Sequence, residues 1–403
     1  MINVAVVYGG RSTEHDVSII SALQAIENMD KEKYNVIPVY MSKGGDFYVS
    51  KNDYLLDSKN YRDEKKLIEN STNVSFIKVK NKTYLRSIEN GIFKKAYDEL
   101  IDVAFPIVHG TNVEDGNLQG FFRTLNLPLV GPDCTSAAVS MDKYIMKEYC
   151  KAIGVPVLDA IRLDKNDFEN MDETINVVEA HFKYPVIVKP VNLGSSIGIK
   201  KANDKKSLID ALELAFSFAN VILVEKAIVN LREINCAILG DKFDCETSLL
   251  EEPFGNDEIL SFADKYMSGT KGGKIGSAKV GGAKASGAKV TPVGGAKGGM
   301  ASLKRKVPAE LTKDLEDKIK SYAIKTFKFI GCSGVARIDF IIDKDTNEVF
   351  ANEINPIPGS LSYYLFEPKG LSYKELLDKL ISIALNNFRM DNKLNYSFES
   401  SIL

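Results

Sequence analysis

Short apolar runs alternate with amphipathic stretches along the first third of the chain, and their order sets the expected architecture. Residues 2–8 are a nearly continuous apolar run, the pattern of a strand covered on both faces. A Gly-Gly-Arg-Ser loop at 9–12, a helix over 16–28 and a second strand over 34–41 follow. The step recurs at 103–108, with a polar loop at 109–116 and a helix running through Leu125. This alternation predicts an α/β fold with a parallel sheet, whose ligand-binding loops lie at the carboxyl ends of the strands. From Met141 the pattern changes to helix 142–153, strand 155–162, helix 170–182, strand 185–189, a Gly/Ser loop at 194–198 and strand 221–226. These shifts divide the chain into 1–140, a small α+β unit at 141–226, and a third region at 227–403.

The third region contains a hairpin with strands at 335–343 and 349–355 and a turn at 344–348. Centring the turn on Thr346 sets Asp339 opposite Glu353 and Arg337 opposite Asn355, all on one face. Ile338, Phe340, Ile342, Phe350 and Ile354 are expected on the other face. Directly opposed carboxylates repel unless positive charge lies between them. Mg²⁺ fits, being a hard cation that takes carboxylate and amide oxygens and, often, phosphates. A solvated acidic hairpin is the competing reading.

With 403 residues, 44% of them hydrophobic, the chain can bury a substantial core. Its net charge of -2 gives no general attraction to nucleic acid or to an anionic membrane, so any phosphate recognition must be local. Five cysteines, scattered and never in CxxC spacing, argue against a disulfide framework or a zinc site and for a reducing, cytoplasmic location. The first residues lack the features of a signal peptide, and no apolar run is long enough to span a bilayer.

Several segments suit a nucleotide. Lys189 ends a strand just before Gly194-Ser195-Ser196-Ile197-Gly198, where successive backbone N–H groups can cradle phosphate oxygens. The loop lacks the Walker A order, which excludes a P-loop NTPase. Lys143 could reach the same phosphates. The strand ending at Glu225 and Lys226 suits an adenine slot read by backbone groups of Ala227 and Ile228, with Glu233 on ribose hydroxyls. Gly9-Gly10-Arg11-Ser12 fails the GxGxxG spacing, so a nicotinamide enzyme is not expected. Glu14 instead could bind a substrate ammonium, and His109 lies in a second polar loop at equivalent depth.

Residues 265–308 are rich in Gly, Ala and Lys, with a loose five-residue repeat and no Asp or Glu between Asp264 and Glu310. Such glycine content predicts a long loop, either a lid near 267–307 over an anionic substrate or a tolerated insertion.

Together these segments resemble the D-alanine:D-alanine ligases of the ATP-grasp superfamily. The resemblance rests on GGRSTEHDVS at 9–18, HGTNVEDGNLQG at 109–120, MDK at 141–143, VIVKPVNLGSSIG at 186–198, KY at 265–266, ARIDF at 336–340 and NEINPIPG at 352–359. It implies a three-domain ATP-grasp fold in which an N-terminal parallel-sheet domain precedes two α+β domains enclosing ATP. Lys143, Lys189, Ser195 and Ser196 would serve the phosphates, Glu225 to Ile228 the adenine and Glu233 the ribose. Asp339, Glu353 and Asn355 would hold two Mg²⁺ or Mn²⁺ ions. The family phosphorylates the carboxylate of one D-alanine, and the amine of a second attacks the acyl phosphate, making D-alanyl-D-alanine for peptidoglycan. Glu14 would anchor the first ammonium, closed over by a triad with Ser195 and Tyr266, and Arg337 would stabilise the oxyanion. His109 would line the substrate site, and Gly359, Tyr364 and Leu365 would surround the second substrate's carboxylate. The resemblance also implies a homodimer. Two positions depart from the family pattern: Val113 stands where a glycine is usual, and Tyr364 where many members have a serine. The second departure leaves D-serine or another amino acid as an alternative second substrate. A further alternative is an ATP-binding regulator that keeps the fold without turnover.

Overall fold

The computed structural model describes residues 1–88, 96–254 and 305–396. Three sheets organise them. The first has seven strands in the order Asp98–Ile101, Lys82–Ser87, Thr72–Val79, Phe47–Val49, Tyr34–Met41, Ile2–Gly9 and Val103–Pro106. Ile2–Gly9 is the buried central strand of a parallel trio, with Val4 opposite both Val36 and Val103. The other four strands join antiparallel, so the expected parallel sheet is one half of a mixed one. Because Ile2–Gly9 and Val103–Pro106 run the same way, the loops that follow them emerge at one edge.

Helix His15–Asn28 covers this sheet with Ile19, Ala22, Leu23 and Ile26. Helix Tyr373–Asp391, far along the chain, completes the same core with Leu376, Leu377, Leu380 and Ile381. Its apolar residues recur at helical spacing, and Ser372 caps it by accepting from the Glu375 amide. Asp378 then anchors it to the sheet edge through Lys33 at 2.9 Å and through Tyr34.

The second sheet is antiparallel, in the order Lys200–Ala202, Val186–Pro190, Val221–Lys226 and Ala160–Asp164. Helices Met171–His181 and Lys205–Phe216 close its core. The strand expected over 155–162 begins at Ala160 instead. Pro156 has no N–H for a ladder, and its carbonyl accepts from Ala351 at 2.8 Å, which pulls the preceding residues toward the third sheet.

The third sheet runs Arg305–Lys306, Cys245–Pro253, Leu231–Gly240, Gly334–Asp343, Val349–Asn355, all antiparallel. Ile319, Ala323 and Phe327 of helix Lys313–Phe329 pack on it beside Met146 and Cys150 of helix Lys143–Ala152. In the hairpin, Arg337 faces Asn355 and Asp339 faces Glu353, as the turn placement predicts. A bulge after that pair then sets Phe340 opposite Ala351. The extra residue reverses the alternation, so Val349 and Ala351 enter the core and Phe350, expected there, does not.

The first and third sheets meet at Gly334, whose φ of +83° only glycine adopts readily and whose added Cβ would lie 2.9 Å from the Gly131 backbone. Gly334→Ala is therefore expected to cost about 1–3 kcal/mol, read as a lowered denaturant midpoint by circular dichroism. An unchanged midpoint would show that this junction tolerates a side chain.

Candidate active site

The edge of the first sheet, the Gly/Ser loop of the second and the hairpin of the third converge on one cleft. Its lining includes Glu14, His109, Lys143, Ser195, Arg337, Glu353, Asn355 and Gly359, all singled out from the sequence. Glu14 opens helix His15–Asn28 and is buried. Ser195 donates to its Oε1 across the cleft. That approach needs Gly194, because a Cβ there would lie 2.8 Å from Glu14 Oε2. Ser195 and Ser196 both adopt left-handed backbone, with φ of 54° and 59°, which turns the loop back toward Glu14.

Lys143 is aimed by its neighbour. Asp142 caps the helix, accepting from the Tyr144 and Ile145 amides at 2.9 and 3.0 Å, so Lys143 falls at the first helical position. Its ammonium donates to the Leu193 carbonyl at 2.7 Å and lies 3.6 Å from Glu353 Oε2. Arg337 grips Asp339 with both arms of its guanidinium, at 2.6 and 2.7 Å, and the Asn355 amide adds a third contact to Asp339 at 3.0 Å. Burial alone would draw the guanidinium down, but Asp339 holds it well above its usual range. Each hairpin carboxylate therefore has a cationic neighbour.

Lys189 lies behind this cleft. Its ammonium sits 2.6 Å from Glu225 Oε1 and donates to Asn352 at 3.2 Å, while Lys147 lies 2.9 Å from Glu225 Oε2. Burial pushes the Glu225 carboxyl up, yet the two lysines outweigh it and bring it to about 2. Lys147 was not anticipated. Its signal is the four-residue spacing from Lys143, which places both lysines on one helix face.

Lys226 is exposed, Ala227 buried and Ile228 half-buried just past that strand, and Glu233 lies on the central strand of the third sheet opposite Ile341. Tyr364 and Leu365 follow the Gly359 turn, with Leu365 fully buried in the first core and outside the cleft lining. Tyr266, the repeat and nearly all of the expected lid, up to residue 304, lie outside the described residues.

Glu114 also lines the cleft and was named only as part of a polar loop. Its carboxyl accepts from Gly110 at 2.8 Å and from Ile357 at 3.0 Å, joining the His109 loop to the Gly359 turn. Burial, with Glu14 and Asp115 adding to it, pushes this carboxyl up to about 8. Burial likewise lowers His109 to about 4, and its Nε2 lies 3.1 Å from Ser21 Oγ.

Among the described residues no three His, Cys, Asp or Glu side chains form a metal cage of their own. Asp339, Glu353 and Asn355 supply hard oxygen donors that fit magnesium, with phosphate oxygens needed to complete its shell.

An N-terminal sheet whose strand ends meet two antiparallel α+β sheets around a cleft of lysines, arginine and carboxylates defines an ATP-grasp protein. The family model described as "D-ala D-ala ligase N-terminus" matches residues 3–132, and "D-ala D-ala ligase C-terminus" matches 149–286 and 297–382. The D-alanine--D-alanine ligase of Caldicellulosiruptor bescii is 37% identical over 410 residues, covering 99% of each chain. Among solved structures, the D-alanine-D-alanine ligase from Coxiella burnetii superposes with a TM-score of 0.75 at 26% identity, covering 97% of this chain and 96% of that one. The VanG D-Ala:D-Ser ligase from Enterococcus faecalis gives 0.71 at 28% identity, over 95% of this chain and 99% of that one. The chain belongs to the D-alanine–D-alanine ligases, a family of ATP-dependent enzymes.

The buried carboxyl of Glu114 makes stability depend on pH. In the unfolded chain it ionises near 4.5, whereas in the fold it keeps its proton to about 8, so stability falls as pH rises between those values. His109 acts oppositely between about 4 and 6.5, because it is held neutral in the fold while the unfolded chain takes up a proton. From pH 6.5 to 8 only Glu114 contributes of the two, and the wild type is expected to lose about 1–2 kcal/mol there. Urea midpoints for Glu114→Gln should be flat over that window, and a slope equal to the wild type's would contradict the assignment.

Proposed function

We propose that this chain joins two D-alanines into D-alanyl-D-alanine with ATP, through an acyl phosphate, for peptidoglycan precursor synthesis in the cytoplasm. The observation that carries this reading is the convergence of Glu14–Ser195, Lys143–Glu353 and Arg337–Asp339 from three sheets on one cleft. Family membership supports the same activity.

Glu14, a buried carboxylate at the cleft wall, receives the ammonium of the first D-alanine, and Ser195 fixes its orientation. Lys143 and Lys189 neutralise the ATP phosphates, with Ser195 and Ser196 offering backbone N–H groups from the turn. Lys147 stays with Glu225 and keeps that carboxylate in place at the adenine end, with Glu233 at the ribose. Asp339, Glu353 and Asn355 hold magnesium or manganese, two ions in all; when bound, the metal supplies charge neutralisation to the transferring phosphoryl group. Phosphoryl transfer and amine attack need positioning and electrostatic stabilisation more than covalent help. Arg337 donates to the oxyanion formed when the second amine adds to the acyl carbon. Tyr266 completes the Glu14–Ser195 triad, and the working form is a homodimer.

A second reading shares this site. Tyr364 in place of the family's usual serine, and the likeness to a D-Ala:D-Ser ligase, favour D-serine as a possible second substrate. Incubation with ATP, Mg²⁺ and a panel of D-amino acids should release ADP with D-alanine alone, and product masses identify the second residue. Folded protein that releases no ADP with any member of the panel would eliminate the reading.

Replacing Arg337 by Lys keeps one positive charge but loses the two-armed grip. Turnover should fall by about 10²–10³-fold, measured as ADP release at saturating substrates. Retention of wild-type turnover would remove Arg337 from the oxyanion role. Glu353→Ala should abolish turnover while the far-ultraviolet spectrum stays native, and residual magnesium-dependent activity near wild type would refute its role as a ligand.

A further inference from the structure

The proposed reaction leaves unused an ion pair at the edge of the third sheet. Arg305 begins the edge strand of the third sheet, opposite Pro253. Its guanidinium donates to Glu251 Oε2 at 2.8 Å, in an ion pair whose side chains are 10% and 2% exposed. The same guanidinium lies over the Tyr364 ring, its central carbon 4.0 Å from the centroid. Arginine is the side chain that can do both, since its plane stacks on an aromatic face while its edge pairs with a carboxylate.

Glu251 is tied inward as well. Its Oε1 accepts from Asn235 at 3.0 Å, and Asn235 is the register neighbour of both Glu251 and Asp339. The pair is thus keyed to the strand that carries Arg337 and Asp339. On its other side, Tyr364 comes two residues after the turn Gly359–Ser362, whose first residue lines the cleft. A buried ion pair contributes little net stability compared with apolar packing of equal volume. Its specific geometric effect here is to hold an aromatic ring.

We propose that Arg305, stacked on Tyr364 and paired with Glu251, is a positioning residue that orients the Tyr364 ring and so selects the small α-amino acid admitted as the second substrate. The inference rests on the ligase reading above, with the second amino acid beside the Gly359 turn. Discrimination there turns on one methyl or hydroxyl group, a difference that a fixed ring edge can sense and a rotating one cannot.

Arg305→Met alone leaves Glu251 buried without its cation and can unfold the sheet edge, so the informative protein is Arg305→Met combined with Glu251→Gln. In that variant the second amino acid's KM should rise by about tenfold, with the KM values for ATP and the first D-alanine within about twofold of wild type. Product masses from mixed D-alanine and larger D-amino acids should show the larger residues entering second. Arg305→Lys, which can pair but not stack, should fall between. A cooperatively unfolding double variant with unchanged constants and product masses would overturn the inference, as would equal loss in every constant. Absence of any dipeptide from the wild type would instead remove the ligase reading, and this inference with it.

Discussion

Paired charges taken out of water hold the cleft together. Asp339 and Glu353 face each other across a ladder, and that arrangement persists because Arg337 forks onto one and Lys143 approaches the other. Behind them Glu225 sits between Lys189 and Lys147. Arg337 and Asp339 share a strand, whereas Lys143–Glu353 and both lysines on Glu225 join different elements and so also fix how those elements sit together. Lys143 belongs to the helix that packs on the third sheet, yet its backbone N–H and its ammonium bond to carbonyls of the segment after Lys189. Lys143 thereby ties the segment after Lys189 to the helix on the third sheet, beside the Lys189–Asn352 contact.

The pairing of the four polar residues was legible from sequence, but the register nearer the turn was not, because a bulge breaks the alternation after Asp339–Glu353. What the pattern could not reveal was the source of the positive charge. Opposed carboxylates pointed to a metal, while the fork of Arg337 two residues along the same strand already occupies both oxygens of Asp339. Arg337 thus supplies positive charge to Asp339 from within the same strand, in a geometry already set by the fold.

The bulge at Phe340 and the late start of strand Ala160–Asp164 were illegible for a common reason. Both involve Ala351, across the hairpin for the bulge and from far along the chain for the strand, and local alternation carries no trace of either. The antiparallel half of the first sheet was missed because its strands mix polar and apolar residues irregularly. Glu114 was visible as an acid in a loop, but its role as a clasp on Ile357 depends on a residue 243 positions away. Lys147, by contrast, was within reach of a simple helical count from Lys143.

The last helix has a consequence for how the chain comes to be folded. Leu376, Leu380 and Ile381 fill the same core as Val4, Val6 and Ile26. As a ribosome delivers the polypeptide, the opening sheet waits with that face uncovered until nearly 380 residues have emerged. The second sheet's core comes from residues 163–224 and can consolidate meanwhile, whereas the third joins residues 139–155 to 234–354. The first sheet's core, whose central strand leads into the Glu14 loop, is completed only by residues 373–391.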